Sequence, residues 1–249
     1  MALSKKMRKK LEQRSKDLEK GSGDFKFIIF KSGITRTRPL PVGEDQEPGV
    51  EVIVFYMGKK YGTVISPASW GEPCAIMECY EELKNSKKES NKELASKFMP
   101  KPHFVVPSIK YVDEKGTEID DKMSGKLALT KKGCYQQMVD LMLDEEQGDM
   151  TDALKGYDLK TKRTGEGKTG TEYKIYPCKP SKIPKKYRGP YDPEEMAKAL
   201  TPSYEETETI IKEYLKLDSS DDDDEKSSKK KSKDLKKKKI QSLFQKHQG

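Results

Sequence analysis

Lysines, arginines and tyrosines crowd together between Gly156 and Pro177, GYDLKTKRTGEGKTGTEYKIYP, at a spacing that suits one kind of chemistry. Two β-like arms, Tyr157–Arg163 and Tyr173–Tyr176, flank a loop that holds Gly165, Gly167 and Gly170. In the first arm Leu159 and Thr161 alternate with Lys160 and Lys162, and Arg163 and Lys168 extend the charge into the loop. Successive side chains of a strand point to opposite faces, so this alternation predicts one packed face and one cationic face. Tyr173 opens the second arm and offers a flat ring beside the charge. Cations against phosphates, with an aromatic ring under a base, are what an unpaired nucleic-acid strand needs. The plainer account of the same residues is a solvated lysine-rich hairpin.

Other chemistries fit these residues worse. Gly167, Lys168 and Thr169 look like the end of a phosphate loop, G-x-x-x-x-G-K-T, but Lys162 stands where its first glycine belongs. No apolar-periodic helix follows to hold a phosphate at its N-terminus. Cys74 and Cys79 have C-x4-C spacing, with the nearest histidine, His103, well downstream. A structural zinc site wants four ligands in paired spacing, and no second pair exists, so buried apolar cysteine is preferred. Two histidines cannot supply a Ser/His/Asp set or a pair of catalytic imidazoles. Asp120-Asp121 and Glu145-Glu146 are adjacent, and neighbours in sequence on a helix do not face one another. The expectation is a binding protein rather than an enzyme, with no cofactor and no metal.

Composition sets the frame. Of 249 residues 33% are hydrophobic and 37% charged, so part of the length is not expected to pack. A net charge of +8 points to a polyanionic partner without dictating a fold. There is no apolar run long enough for a membrane helix and no signal-peptide core after Met1. Cys74, Cys79, Cys134 and Cys178 are too few and too scattered for a disulfide scaffold, which fits a reducing, intracellular setting.

The elements that must position the basic residues follow in order. Residues 2–20 form a basic segment with Met7, Leu11 and Leu18 on one helical face, released from the body by Gly21–Gly23. FKFIIF, from Phe25, is a strand-like run, and ITRTRPLP alternates until Pro39 and Pro41 stop it. Val50–Met57 is the strongest strand pattern; Gly58-Lys59-Lys60 turns it back into Tyr61–Ser66 as a hairpin with a basic tip. Helices are predicted over Glu72–Asn85 and Asn91–Met99, as an insertion between strands. Lys101–Val112 and Lys126–Thr130 return to strand, and Lys131–Asp144 has helical spacing. Asp192 reads as the cap of a helix opening with Pro193, Glu194 and Glu195, and Tyr204–Leu217 as an acidic helix. Asp218–Glu225 and Lys226–Lys239 are charge blocks that stay solvated. Five or more β segments interrupted by helices predict a mainly β fold, a small partly open barrel with helical decoration and a helical C-terminal part.

This order of pieces resembles the single-stranded DNA-binding (helix-destabilising) proteins of tailed bacteriophages, the T4 type. ITRTRPLP looks like that family's RFLP strand, SPASWGEPCAIMECYEEL is similar to its CP-x-C helix start, and KPHFVVPSIKYVD looks like the strand after its insertion. GYDLKTKRTGEGKTGTEYKIYP is the most specific match, and the resemblance covers roughly residues 1–200. It implies a five-stranded oligonucleotide-binding (OB) fold that coats single-stranded DNA cooperatively during viral replication, recombination and repair, in the cytoplasm of an infected host cell. The implied layout is an arm over 1–23 whose residues 1–20 dock on a neighbouring copy, and a core over 24–190 with an insertion at 72–99. C-terminal helices over 191–217 and a tail over 218–249 that recruits phage replication proteins complete it. The family's prototype holds zinc through a histidine and three cysteines; here only Cys74 and Cys79 match that region, so the metal is expected to be lost. The tail ends in lysines and an apolar tip rather than acidic residues, which changes its expected partner.

The expected groove takes its charge from Arg36, Arg38, Lys59, Lys60, Lys101, Lys131, Lys132, Lys160, Lys162, Arg163 and Lys168. Its stacking rings are Tyr61, Phe104, Tyr135 and Tyr173. The rival classes are an RNA-binding protein or RNA chaperone using the same groove, and an interaction protein whose charge serves only solubility.

Overall fold

The structure, a computed structural model, describes residues 27–165 and 170–220, with side chains described as far as residue 216. The basic segment 2–20, Lys168 and the charge blocks beyond residue 220 lie outside the described residues. The chain divides into two compact units, Met1–Ile210 and Ile211–Gly249.

The described residues of the first unit build a mixed eight-stranded sheet. Its strands are β1 (Phe27–Ile28), β2 (Gly33–Pro39), β3 (Val50–Tyr56), β4 (Thr63–Ile65), β5 (Lys101–Lys110), β6 (Lys126–Thr130), β7 (Tyr157–Thr164) and β8 (Glu172–Pro180). The main order is β1-β6-β5-β2-β7-β8, with β3 pairing β5 and β4 pairing β3. The sheet is open, since β1 and β8 end this path without pairing each other. Among the described residues, the strand pairings are antiparallel except β1 with β6.

β5 is the axis. The run VVPSI is apolar enough to be buried on both faces, and Val105 through Ile109 are all buried. On one side its residues 104–108 pair β6; on the other Lys101–Val105 pair β3 and Ser108–Lys110 pair β2. Pro107, which has no N–H to give, sits between those last two partners, where the ladder asks for none. Its carbonyl accepts the Leu40 N–H at 2.9 Å.

The helices cover what the sheet leaves apolar. α1 (Gly58–Tyr61) is a single turn at the β3–β4 tip, where a simple turn was expected. α2 (Ala75–Lys84) and α3 (Glu89–Lys97) form the insertion between β4 and β5. α4 (Lys132–Leu143) lays Tyr135 and Met138 against Val106, Tyr157 and Leu159. α5 (Pro193–Ala199) sets Ala197 in a cluster with Phe27, Val52, Val54, Ile65, Val105 and Leu127. Its cap is Asp192, as its sequence predicts: the carboxylate accepts from the N–H groups of Glu194 and Glu195. α6 (Tyr204–Ser220) follows.

β8 runs longer than the Tyr173–Tyr176 arm expected for it, because the end of the sheet tolerates Pro177 and Pro180, which an interior strand would reject. Among the described residues, no helix is long and apolar enough to cross a membrane.

Candidate nucleic-acid interface

The register of β2, β7 and β8 decides which predicted residues meet. Residues directly opposite in an antiparallel pair share a face. Arg36 lies across from Lys160, and Lys160 from Tyr176; in the next row Ile34 lies across from Lys162, and Lys162 from Lys174. One outer face therefore carries Arg36, Lys160, Lys162, Lys174 and Tyr176. Lys162 and Lys174 are exposed, Lys160 half-buried, and the Tyr176 ring is 48% exposed. Among the described residues, no carboxylate lies within ion-pair distance of these three lysines. The Lys162–Lys174 pair is notable because like charges directly across two strands are destabilising.

Arg36 reaches this face with its charge partly neutralised. Its Nε and Nη2 donate to the Asp158 carboxylate at 2.8 and 2.6 Å. Its Nη1 donates to the carbonyl of Lys115. Burial pulls the Arg36 pKa down, but the hydrogen bond and charge of Asp158 outweigh it and the net direction is upward.

Arg38 is not a groove cation, and this corrects its expected role. It points from β2 into a fully enclosed position, 0% exposed, and donates to the carbonyls of Asp152 (2.8 Å) and Ser181 (3.0 Å). Its Nη1 lies 3.5 Å from Asp158. Desolvation dominates here and lowers its pKa despite that carboxylate.

Two predicted stacking rings are also used internally. Phe104 and Tyr135 stack on each other, centroids 4.1 Å apart and planes within 6°. The Tyr135 hydroxyl donates to Glu47 (3.3 Å) and to the carbonyl of Gly49 (3.2 Å). Burial, then the Glu47 charge, pushes this phenol up to about 12. The cleft beside Phe104, about 510 Å³, is lined by Glu47, Glu51, Asp192 and Glu194, the wrong sign for a phosphate backbone.

Tyr173 and Arg163 face the other way from Lys160 and Lys162. Tyr173 is half-buried against the Ile28, Phe30, Ala128 and Cys134 cluster. Arg163 donates through Nη1 to the Phe30 carbonyl at 3.3 Å. The expectation of a single face shared by Lys160, Lys162, Arg163 and Tyr173 is therefore corrected: strand alternation separates them. What stands beside Tyr173 is Lys131, its ammonium 5.3 Å from the ring centre, with Lys132 exposed next to it. Lys101, exposed at the start of β5, and His103 adjoin the same region, since Phe104 pairs Thr130 just before Lys131. Burial first, then the charges of Lys101 and Lys131, lower the His103 pKa, against a raising contribution from the Lys101 carbonyl.

A depressed histidine pKa means that the unfolded chain takes up its proton first as pH falls below the ordinary value of 6.5. Stability is therefore expected to drop between pH 7.5 and 5.5, and His103→Gln to drop less over that interval. Urea denaturation at the two pH values checks this; equal losses in the two proteins would contradict it.

The β3–β4 tip is a third group, separate from these. Lys59 and Lys60 are exposed on α1, and the Lys60 ammonium lies 5.0 Å over the Tyr61 ring. Tyr56, across from Thr63, is 57% exposed beside them.

Sequence reasoning missed Lys174, Tyr176 and Tyr56. The alternation of the second arm, Glu172-Tyr173-Lys174-Ile175-Tyr176, carried the signal: residue 176 shares a face with 174 and not with 173. Cys74, Cys79 and Cys134 are buried free thiols, and burial pushes Cys79 and Cys134 up to about 12, with Glu82 adding at Cys79. Among the described residues, no three His, Cys, Asp or Glu side chains gather where they could hold a metal ion. No protein-family model matches the chain, and no curated protein matches it.

Proposed function

We propose that this protein binds single-stranded DNA without sequence preference, as a coating protein and not a catalyst. Lys160, Lys162 and Lys174 take the phosphates, and Tyr176 stacks a base. The observation that carries this reading is the Lys162–Lys174 pair: two unneutralised ammonium groups opposed across β7 and β8, beside an exposed ring. Sheet packing gives no reason to oppose them, whereas a bound polyanion relieves the repulsion. An exposed tyrosine next to such charge suits every base, because each has a π-face.

The OB-type barrel belongs to the same proposal. Its support is the way β5 is shared between β3 and β2 on one side and β6 on the other. The resemblance to phage helix-destabilising proteins adds the setting, viral DNA replication, recombination and repair in the infected cell.

Fluorescence titration with poly-dT and with duplex DNA at several salt concentrations tests the reading. Poly-dT is expected to bind far more tightly. Replacing Lys160, Lys162 and Lys174 by alanine should flatten the log–log salt slope by about 2, at about 0.7 per lost phosphate contact. Equal affinity for paired and unpaired DNA, or an unchanged slope in the triple variant, would overturn it. Oligo-U binding more tightly than oligo-dT would move the assignment to RNA.

A further inference from the structure

The end of the sheet adds something to that binding face. β8 is the last strand, so its two faces meet at an open edge, and its alternation puts a tyrosine ring on each. Lys174 and Tyr176 stand on one side; Tyr173, beneath the Lys131 ammonium, stands on the other.

The edge between them is closed to backbone pairing. The Gln137 side chain, from α4, donates to the Tyr173 carbonyl at 3.0 Å and accepts the Ile175 N–H at 3.1 Å. That amide occupies two of the hydrogen-bonding groups an added strand would need. Pro177 and Pro180 withhold further donors along the same strand. Whatever crosses this edge is therefore held by side chains and not by strand addition.

The same two hydrogen bonds lay α4 along β8. The start of that helix, with Lys131 and Lys132, thus sits beside the Tyr173 end of the strand, and Lys101 and His103 lie beyond it. Cations therefore stand on both sides of the Gln137-sealed edge, Lys162 and Lys174 on one and Lys131 and Lys132 on the other.

We infer that a bound single strand occupies both sides of this edge, passing from the Lys160–Lys162–Lys174–Tyr176 face over β8 onto a second subsite formed by Lys131, Lys132 and the Tyr173 ring. This rests on the proposed binding of unpaired nucleic acid to the first face. The second subsite has fewer free cations, and its ring is half-buried, so it holds a strand chiefly when the first segment is already tethered. Tethering turns the second contact into an intramolecular one at high effective concentration.

Length dependence separates the two segments. Affinities of the full chain are measured with oligo-dT of about 5 and about 16 nucleotides, lengths near the two ends of the site sizes of single-strand-binding folds. Two sets are tested, Lys131→Ala with Lys132→Ala, and the Lys160, Lys162 and Lys174 alanine set; all five side chains are exposed or half-buried, so the fold is expected to survive. The first set should leave the short oligomer unchanged. For the long one it should reduce the fall in affinity between 50 and 200 mM salt by about sevenfold, the effect of two lost contacts on the salt slope. The second set should weaken both lengths.

If the Lys131/Lys132 set leaves both lengths unchanged while the other weakens them, the second subsite is wrong and the first face stands. If the Lys160/Lys162/Lys174 set changes neither length, the reading of the first face fails and this inference with it. Two short oligomers bound per protein with similar affinity would mean separate sites for two strands and would also overturn a continuous path.

Discussion

Asp158→Ala is expected to remove about 3–5 kcal/mol of folding free energy, the cost of breaking a buried ion pair from one side. Asp158 is 2% exposed by its side chain and takes three partners at once: Arg36 at 2.6 Å, Arg38 at 3.5 Å and the Tyr111 hydroxyl at 3.3 Å. Arg36 retains the carbonyls of Glu114 and Lys115 and its place over the Tyr111 ring. Arg38 has no such outlet. It would keep two backbone carbonyls and the Ser181 hydroxyl but stay charged, enclosed and without a counter-ion. Its Nε already has no hydrogen-bond partner among the described residues.

Domains of this kind are stable by about 5–15 kcal/mol, so such a loss takes a large share of the total. Urea denaturation of Asp158→Ala reads it directly. Combining Asp158→Leu with Arg38→Met should recover most of it, because the uncompensated charge goes too. A loss below about 1 kcal/mol in the single variant would show that water reaches Arg38 and that the node is no buried anchor. The node also bears on binding: Asp158 and Lys160 share a face of β7, and Arg36 lies across from Lys160. The carboxylate that anchors the sheet therefore also holds the Arg36 guanidinium, which the proposed phosphate contacts do not include.

Much of this architecture was legible because period and punctuation agreed. Lys126–Thr130 and the Asp192 cap appear where the residue pattern puts them, and β2, β3 and β7 lie within a residue or two of it. These segments combine alternation or a capping side chain with a proline or glycine stop, all local signals. The partner of each strand was not legible. Nothing in ITRTRPLP says that Arg36 will meet Lys160 and that Arg38, two residues on, will be swallowed; both are arginines on one face of one strand. What differs is the cover over that face, Ser181 and the Asp152 carbonyl at Arg38 but the β5–β6 loop at Arg36, and that cover is tertiary. Phe104 and Tyr135 were misassigned for the same reason: a half-buried ring and a binding ring look alike until the ring that covers them is known.

Lys174→Glu is expected to move stability and binding in opposite directions, which ordinary surface substitutions do not do. In the free protein Lys174 faces Lys162 directly, and replacing one member of a like-charged cross-strand pair by an opposite charge should stabilise the hairpin by about 0.2–1 kcal/mol. In the proposed complex the same change would remove one phosphate contact and put a carboxylate beside the backbone, so poly-dT affinity at 50 mM salt should fall on the order of tenfold, and less at 200 mM. Lys174→Ala should lie between in both measurements. Lys122→Glu, an exposed lysine outside β2, β7 and β8, should alter neither by much. If Lys174→Glu lowers stability, the pair is not repulsive and the reason for assigning it to a polyanion disappears. If it raises stability and leaves poly-dT binding intact, the repulsion is real but the strand is held elsewhere, at the α4 start or the β3–β4 tip. Only a gain in one with a loss in the other fits a sheet that tolerates opposed lysines because an unpaired strand neutralises them.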